Sequence, residues 1–461
     1  MKKEKKGALL SNIARVLSAN FWAALIGFAG SFIFPKILEI EDYALYQTFT
    51  LYVGYIAILH LGFPSGMVIN YVGQRYEDVD KKQYKSEVKL LMFILSLFTL
   101  CFLMLFLVSR NKMVAYIVLA IIPIGVVNSY KSLFQAWSEF QKYTRISTFI
   151  ATAIPIIALL YYAITRELPG EVYILVYLFI HWIITLIILI NTYRFIKDVK
   201  GSRMFSKMNW KTEQTGIILV LGNYVNTLFN STGKQFVQLF FSTSDFAFYS
   251  FGMSMQTLMT VFITSISQPL FPEMAKGEFS NEDYNSIKEM LFIFGSFSGC
   301  AYFVTSIIVR NFIHKYIGSL EIVGIYFVVF PAMAVINCLY LNLYKIKGMI
   351  REYIVTLVGV LVLSIVLDAL FIKISGHFSG VAIATTITYY IWLGVGLKQF
   401  RFLKLKLADL IYLIVYIGGF FAITRNLDDY TGIVLYFLFI CILSLLCYRK
   451  TISYFLTKMK R

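Results

Sequence analysis

The sequence is poor in charged residues, and this scarcity excludes most soluble protein classes. Only 15% of its 461 residues are charged, whereas 59% are hydrophobic. Soluble globular domains typically carry about 25% charged residues. The charges lie between apolar runs that reach the roughly 20 residues needed to cross a bilayer. The composition therefore predicts a polytopic, all-α membrane protein.

Long hydrophilic segments are also lacking, and none exceeds about twenty residues. This leaves no room for a soluble catalytic or nucleotide-binding domain. Gly233-Lys234 lacks the upstream glycine of a Walker A loop, and no His-Glu-x-x-His motif occurs in the sequence. We therefore expect no enzyme activity, no metal and no cofactor. The outer loops predicted below are also short for a membrane-embedded glycan polymerase or ligase.

Cysteines and membrane-embedded acids are few. The five cysteines lie in apolar runs without metal-ligand spacing, which favours small core residues over ligands or disulfides. No acid occurs in the first apolar run. We expect Asp368, close to Lys373 at the end of its run, to lie at the membrane interface rather than in a proton relay. The sequence thus gives no clear carboxylate for ion coupling.

Fourteen membrane spans are predicted from the apolar runs. They lie near 12–34, 44–72, 89–108, 113–135, 144–164, 171–193, 214–241, 246–270, 289–309, 321–344, 352–373, 377–398, 407–424 and 430–448. The second span is long and is interrupted at Pro64, where we expect a kink. With both termini in the cytoplasm, 31 Lys and Arg lie in cytoplasmic segments and 8 in outer loops, and three within spans complete the 42. This is the bias expected of cytoplasmic loops. The net charge of +17 is therefore not a sign of nucleic-acid binding.

Three weak sequence similarities between the two halves of the chain occur in the same order and indicate an internal repeat. They pair Asp42-Tyr43-Ala44-Leu45-Tyr46 with Asp245-Phe246-Ala247-Phe248-Tyr249, Tyr84-Lys85-Ser86 with Tyr284-Asn285-Ser286, and Pro123 and Asn128 with Pro331 and Asn337. Six spans separate corresponding points, so the repeats should be parallel, with a central cleft. We predict a six-helix lobe over 1–200, a second over 201–402, and two additional helices over 403–461.

Polar side chains follow one face of the seventh span. Asn223, Asn226, Asn230 and Lys234 recur every three or four residues. A charge and three amides facing lipid would cost several kcal/mol, so this face is expected to line protein or water. Two interpretations stay open: a solvated substrate cavity, or helix–helix hydrogen bonds with a lysine that extends to the membrane surface.

Two further spans carry weaker signals of the same kind. In the eighth span, Ser254 and Thr257 belong to a stripe of hydroxyls and amides, although hydroxyls also join helices without any role in binding. In the first span, Arg15 is a candidate for the cavity or for a cytoplasmic anchor. We place these residues with the seventh-span face as candidate substrate contacts.

Two segments resemble the bacterial polysaccharide transporters, the O-antigen and capsule flippases of the multidrug/oligosaccharidyl-lipid/polysaccharide exporter superfamily. Asp42-Tyr43-Ala44-Leu45-Tyr46-Gln47, continuing to Leu61-Gly62-Phe63-Pro64-Ser65-Gly66, is similar to the family's first helical hairpin. Leu133-Phe134-Gln135-Ala136-Trp137 and Phe140-Gln141-Lys142-Tyr143 resemble its fourth-to-fifth helix turn. The resemblance covers the twelve duplicated spans, with diffuse motifs.

The resemblance implies two six-helix lobes around a cavity that opens alternately to each side of the bacterial cytoplasmic membrane. It implies an undecaprenyl-diphosphate-linked glycan as cargo, membrane lipids as surroundings and a glycan polymerase as a candidate partner. In relatives the first, second, seventh and eighth helices line the cavity, which would place Arg15 and Lys234 towards substrate. A peptidoglycan-precursor flippase and a multidrug antiporter of the same superfamily are the alternatives. The missing acid in the first span disfavours the antiporter.

Overall fold

A computed structural model describes residues 22–459, apart from some side chains within two helices, α8 (Lys207–Phe240) and α17 (Asp429–Met459). This part of the chain is helical and contains no β-strand. It divides into two compact units, with unit 1 ending at Thr227 and unit 2 beginning at Leu228. The division falls inside α8, so both units share this helix.

The helices up to the division are α1 (Trp22–Ile37), α2 (Ile40–Leu59), α3 (Phe63–Tyr71), α4 (Lys81–Ser109), α5 (Lys112–Ala136), α6 (Phe140–Thr165), α7 (Gly170–Ile196) and α8 (Lys207–Phe240). Unit 2 continues with α9 (Thr243–Ala275), α10 (Asn281–Phe312), α11 (Leu320–Val328), α12 (Phe330–Val335), α13 (Leu341–Ile346), α14 (Ile350–Ser375), α15 (Ser379–Gln399), α16 (Leu407–Asn426) and α17 (Asp429–Met459).

Ten of the described helices are long and apolar enough to cross a membrane. Two bent pairs, α2 with α3 and the segment His314–Val328 with Phe330–Ile346, raise the number to twelve if each pair is one span. Of the fourteen predicted spans, the first is described only from Trp22, and α8, which carries the polar face, is not among the twelve. The fold is therefore a bundle of at least ten apolar helices.

The break between α2 and α3 lies at Leu61 and Gly62, just ahead of the proline where the sequence predicts a kink. Both residues have positive φ, 54° and 89°, and the two helices meet at 59°. A Cβ on Gly62 would lie 2.6 Å from the carbonyl carbon of Gly216 in α8. Glycine is therefore required twice here, for the left-handed backbone and for the contact.

Proline has opposite effects on two later helices. The sequence predicts that the eighth span ends near Pro269, but α9 continues through Pro269 and Pro272 to Ala275. The predicted continuous span over 321–344 is instead bent by 45° near Pro331. It then passes through a π-helical turn at Ile336–Tyr340, where the Ser267 hydroxyl donates to the Asn337 carbonyl at 3.0 Å. The neighbouring helix thus satisfies a backbone group in the irregular turn.

A buried polar cluster in unit 1 fixes the start of α4. The carboxylate of Glu87 is fully buried. It accepts hydrogen bonds from Gln83 at 2.8 Å and Asn70 at 3.1 Å, and also from the hydroxyls of Tyr71 and Thr212. Because these donors come from α3, α4 and α8, one carboxylate joins three helices.

A buried ion pair in unit 2 fixes the start of α10. Lys288 and Asp409 lie 2.5 Å apart with both side chains fully buried, and Tyr448 donates to Asp409 at 2.9 Å. Lys406 and Glu289 form a second pair at 2.6 Å. These contacts join α10 to α16 and α17, so the last two helices pack as part of unit 2.

Candidate functional site

The polar face of α8 is accessible where its side chains are described. Asn226 is half-buried and Asn230 is exposed. The hydroxyl of Tyr389 in α15 donates to Asn230 Oδ1 at 3.2 Å. One amide of the predicted stripe is therefore oriented by a neighbouring helix and is also exposed.

Lys234, the one cation of the predicted stripe, is half-buried within unit 2. Its ammonium lies 5.7 Å from the ring centroid of Phe246 in the first turn of α9, inside the usual cation–π distance of about 6 Å. The side chain thus extends towards the end of the helix pair, as surface-directed lysines do. An amine at this level could also contact an anionic headgroup, so its role stays a prediction.

Gly233 explains how closely α8 packs at this level. A Cβ at this position would lie 2.2 Å from the hydroxyl oxygen of Tyr249 and 3.1 Å from Val381. A larger residue would displace Tyr249, whose hydroxyl accepts from Tyr326 at 2.5 Å. The glycine therefore sets the register in which Asn230 and Lys234 are presented.

The polar stripe of α9 is exposed at Thr257 and beyond, whereas Ser254 is half-buried. Ser254 donates to the Ser250 carbonyl and Thr257 to the Met253 carbonyl, both at 2.9 Å. Thr257, Thr264 and Gln268 are all exposed. Since the hydroxyl donors are satisfied within their own helix, their oxygens can still accept hydrogen bonds from a ligand or water.

Two predicted site residues cannot be placed. Arg15 lies outside the described residues, and the side chain of Asn223 lies outside the described part of α8. Lys234, Asn230 and Asn226 share a face by helical spacing alone. Their contact with Ser254 and Thr257 through a common ligand stays a prediction.

A buried carboxylate in α14 lies outside the polar faces described above. Asp368 is fully buried within unit 2. Its Oδ2 accepts from Ser364 at 3.4 Å, whereas Oδ1 has no hydrogen-bond partner in the described part of the chain. The carboxylate also interacts electrostatically with Tyr249 and Tyr326. Its expected depth at the membrane interface stays a prediction.

The spacing of polar residues in α14 accounts for the burial of Asp368. Thr356, Val360, Ser364 and Asp368 recur every four residues and are all buried. This spacing defines one face of a helix, and that face packs into unit 2. The periodicity of the sequence therefore predicts that this carboxylate is buried.

Among the described residues, no group of three or more His, Cys, Asp and Glu is close enough to hold a metal ion. Two buried histidines are hydrogen-bonded locally: His181 Nδ1 to the Tyr177 carbonyl at 2.8 Å, and His60 Nδ1 to the Gly62 amide at 3.3 Å. Both are thus accounted for by packing.

Apolar spans, two of them broken, and an accessible polar face on one helix are features of polytopic membrane transporters. In its fold, the chain is similar to the lipid II flippase MurJ in its inward closed conformation, with a TM-score of 0.63. That likeness covers 97% of this chain and 100% of the other, at 16% sequence identity.

The family model described as "Polysaccharide biosynthesis protein" matches residues 9–278, more than half of the chain. The chain belongs to this family. A comparison with curated protein sequences gave no significant match.

Proposed function

We propose that the protein is a flippase that moves an undecaprenyl-diphosphate-linked oligosaccharide from the inner to the outer leaflet of the bacterial cytoplasmic membrane. The cargo is a repeat unit of O-antigen, capsule or exopolysaccharide. The observation that carries this proposal is the accessible polar face of α8, in a chain of the polysaccharide biosynthesis family. An intramembrane lysine beside amides is costly in lipid and is suited to a polar cargo.

The chemistry of the face suits such a cargo. A diphosphate is an anion that a lysine ammonium attracts, and sugar hydroxyls both donate and accept hydrogen bonds. Lys234 supplies the cation, Asn226 and Asn230 supply amides, and Ser254 and Thr257 supply acceptor oxygens. Arg15 and Asn223 are proposed to join them. Membrane lipids surround the protein, and a glycan polymerase is the proposed partner that receives the exported unit.

The proposed architecture has fourteen membrane helices, in two parallel six-helix repeats around a central cavity plus two C-terminal helices, with both termini cytoplasmic. The charge asymmetry of the loops supports the orientation. Matching helix starts support the repeat: α4 is capped by Asp80 and α10 by Ser280, each with a tyrosine four residues later, Tyr84 and Tyr284. Alternating access of the cavity to each side would then carry the glycan across.

Lys234 gives the direct test of this site. In a strain whose own flippase is deleted, Lys234→Ala should abolish most glycan export at equal membrane abundance, while Lys234→Arg keeps the charge and retains part of it. Lys373→Ala is the matched control, because Lys373 is an exposed lysine at the end of α14 in the same unit. Normal export by Lys234→Ala would contradict a role of Lys234 in cargo binding and would favour its role as a lysine that extends to the membrane surface.

A peptidoglycan-precursor flippase is the second candidate function, favoured by the MurJ-like fold. The two candidate functions are distinguished by mass spectrometry of lipids that co-purify with the protein. They are also distinguished by complementation of strains that lack either kind of flippase. A polyprenyl-diphosphate repeat unit and restored surface polysaccharide support the first. Lipid II and rescue of cell-wall synthesis support the second. A polymerase or ligase activity would instead appear as longer glycan chains formed by the purified protein.

A further inference from the structure

An apolar groove of about 800 Å³ opens on unit 2, away from the polar face of α8. Segments of α11, α15 and α16 line it, over Leu320–Val328, Ile383–Ile391 and Ile417–Arg425. Its floor is formed by Tyr302 and the fully buried Phe420, whose ring centroids are 5.4 Å apart. The volume lies within the range of roughly 300–1,000 Å³ found for small-molecule sites.

The groove has the length of a lipid chain in one leaflet. Each lining segment covers eight residue steps, which is about 12 Å at a helical rise of about 1.5 Å per residue. Half of the hydrocarbon core of a bilayer is about 15 Å. Tyr390 of α15 donates to the Val328 carbonyl at 2.8 Å, and Tyr416 of α16 donates to the Phe327 carbonyl at 3.0 Å. The first turn of α11, the beginning of α15 and the last turn of α16 therefore lie towards the same end of the groove, which we expect at the membrane surface.

The two charged residues in the lining both lie at this surface end. Glu321 is in the first turn of α11, and Arg425 is in the last turn of α16, where its guanidinium lies 5.9 Å from the ring centroid of Phe421. Both side chains are exposed. Neither forms an ion pair within the described residues. The rim therefore offers one cation and one anion at headgroup level.

We propose that this groove binds one phosphatidylethanolamine molecule, with an acyl chain along Ile383 and Gly324, the phosphate at Arg425 and the ammonium at Glu321. A zwitterionic headgroup matches both rim charges, and the primary ammonium of phosphatidylethanolamine donates hydrogen bonds to a carboxylate, which the trimethylammonium of phosphatidylcholine cannot do. A purely anionic headgroup would place an unmatched negative charge beside Glu321. Guanidinium also binds phosphate through two parallel hydrogen bonds, a geometry that suits Arg425.

The test compares lipids bound to the purified full-length protein by native mass spectrometry, after equilibration with equal amounts of phosphatidylethanolamine, phosphatidylglycerol and phosphatidylcholine. We expect phosphatidylethanolamine to be retained preferentially. Arg425→Ala should reduce its retention about tenfold, and Glu321→Gln should reduce the preference over phosphatidylglycerol. Ile383→Trp should fill the groove and displace the chain.

Two matched controls lie outside the groove. Lys373→Ala removes an exposed cation at the end of α14, and Ile365→Trp enlarges an exposed apolar residue of the same helix. Both should retain phosphatidylethanolamine as the wild type does. A second test uses only the wild-type protein, so it does not depend on whether a variant folds. Phosphatidylethanolamine with a photoreactive acyl chain should label peptides of α11, α15 or α16.

Three results would overturn the assignment. The first is equal retention of the three phospholipids by the wild type. The second is unchanged retention in both Arg425→Ala and Ile383→Trp, or labelling confined to other helices. The third is displacement of phosphatidylethanolamine by equimolar undecaprenyl phosphate, which would assign the groove to the isoprenoid chain of a transported lipid. None of these results depends on whether the protein exports the glycan proposed above.

Discussion

The starts of α4 and α10 both hold a carboxylate out of water, but they surround it with different partners. Glu87 in α4 accepts hydrogen bonds from neutral side chains only, among the contacts described for it. Beside α10, Asp409 and Glu289 are each paired with a lysine, Lys288 and Lys406. Unit 1 therefore relies on amides and hydroxyls where unit 2 relies on ion pairs.

The difference decides how much each unit depends on one residue. Several neutral donors can satisfy a carboxylate, and each contributes about 1 kcal/mol net. A fully buried ion pair is less forgiving, because removal of one partner leaves the other as an uncompensated charge. We therefore expect unit 2 to be the more vulnerable unit, with its weak point at Lys288.

Lys288→Met should have the largest effect on stability. It leaves Asp409 buried without its cation, which typically costs about 3–5 kcal/mol. The melting temperature of the purified protein in detergent should fall more than for any other variant below. Lys288→Met with Asp409→Asn is the matched control, since the double change removes both charges and should recover most of the loss. A single variant as stable as wild type would contradict the comparison.

Glu87→Gln should have an intermediate effect, of about 1–3 kcal/mol. The glutamine can keep the oxygen that accepts from Asn70 and Gln83, but its NH₂ group then replaces the oxygen that accepts from the Tyr71 hydroxyl. Thermal unfolding in the same detergent measures the change. Glu77→Gln, at an exposed acid in the turn before α4, should leave the melting temperature unchanged. A loss as large as that of Lys288→Met would show that neutral donors provide no protection.

Lys406→Ala should have a smaller effect and lower the free energy of unfolding by about 1 kcal/mol. The lysine is 52% exposed, so solvent screens its pair with Glu289. Glu289 also keeps the hydrogen bond from Thr451. Comparison of Lys406→Ala with Lys288→Met separates the contributions of a half-exposed and a buried lysine in one cluster. Equal losses would mean that burial does not control the cost.

Lys112→Ala should have the smallest effect. Lys112 and Glu171 form a pair at 2.9 Å between α5 and α7, but their side chains are 79% and 44% exposed. Exposed pairs of this kind contribute little, because water competes for both charges. The melting temperature should match that of wild type. A measurable loss would show that surface pairs of unit 1 contribute more than their exposure predicts.

The helical composition and the polar face of α8 could be predicted from the sequence, because both follow from local periodicity. Apolar run length gave the existence of most helices, and the three-to-four spacing gave the face that carries Asn230 and Lys234. The same periodicity, applied to α14, predicts the buried position of Asp368, four residues after the buried Ser364.

Not every helix break could be predicted from the sequence. Pro64 and Pro269 each suggest the end of a helix, yet only Pro64 lies beside a break, and the bend near Pro331 falls inside a span predicted to be continuous. The difference is tertiary: α2 and α3 separate where Gly62 meets the backbone of Gly216, 154 residues later in the chain. The pairing of buried polar residues, such as Lys288 with Asp409, also depends on contacts between distant parts of the chain. Local sequence spacing does not predict such contacts.

The ion pair between Lys288 and Asp409 also sets an order of events during synthesis. The two residues are 121 positions apart, so at about 5–20 residues per second the lysine is made roughly 6–24 s before its partner. During that interval its ammonium must remain near water or lipid headgroups. A ribosome that stops before residue 409 would release a chain with an unpaired cation at α10. Insertion of α16 is therefore the step that commits unit 2 to its native packing.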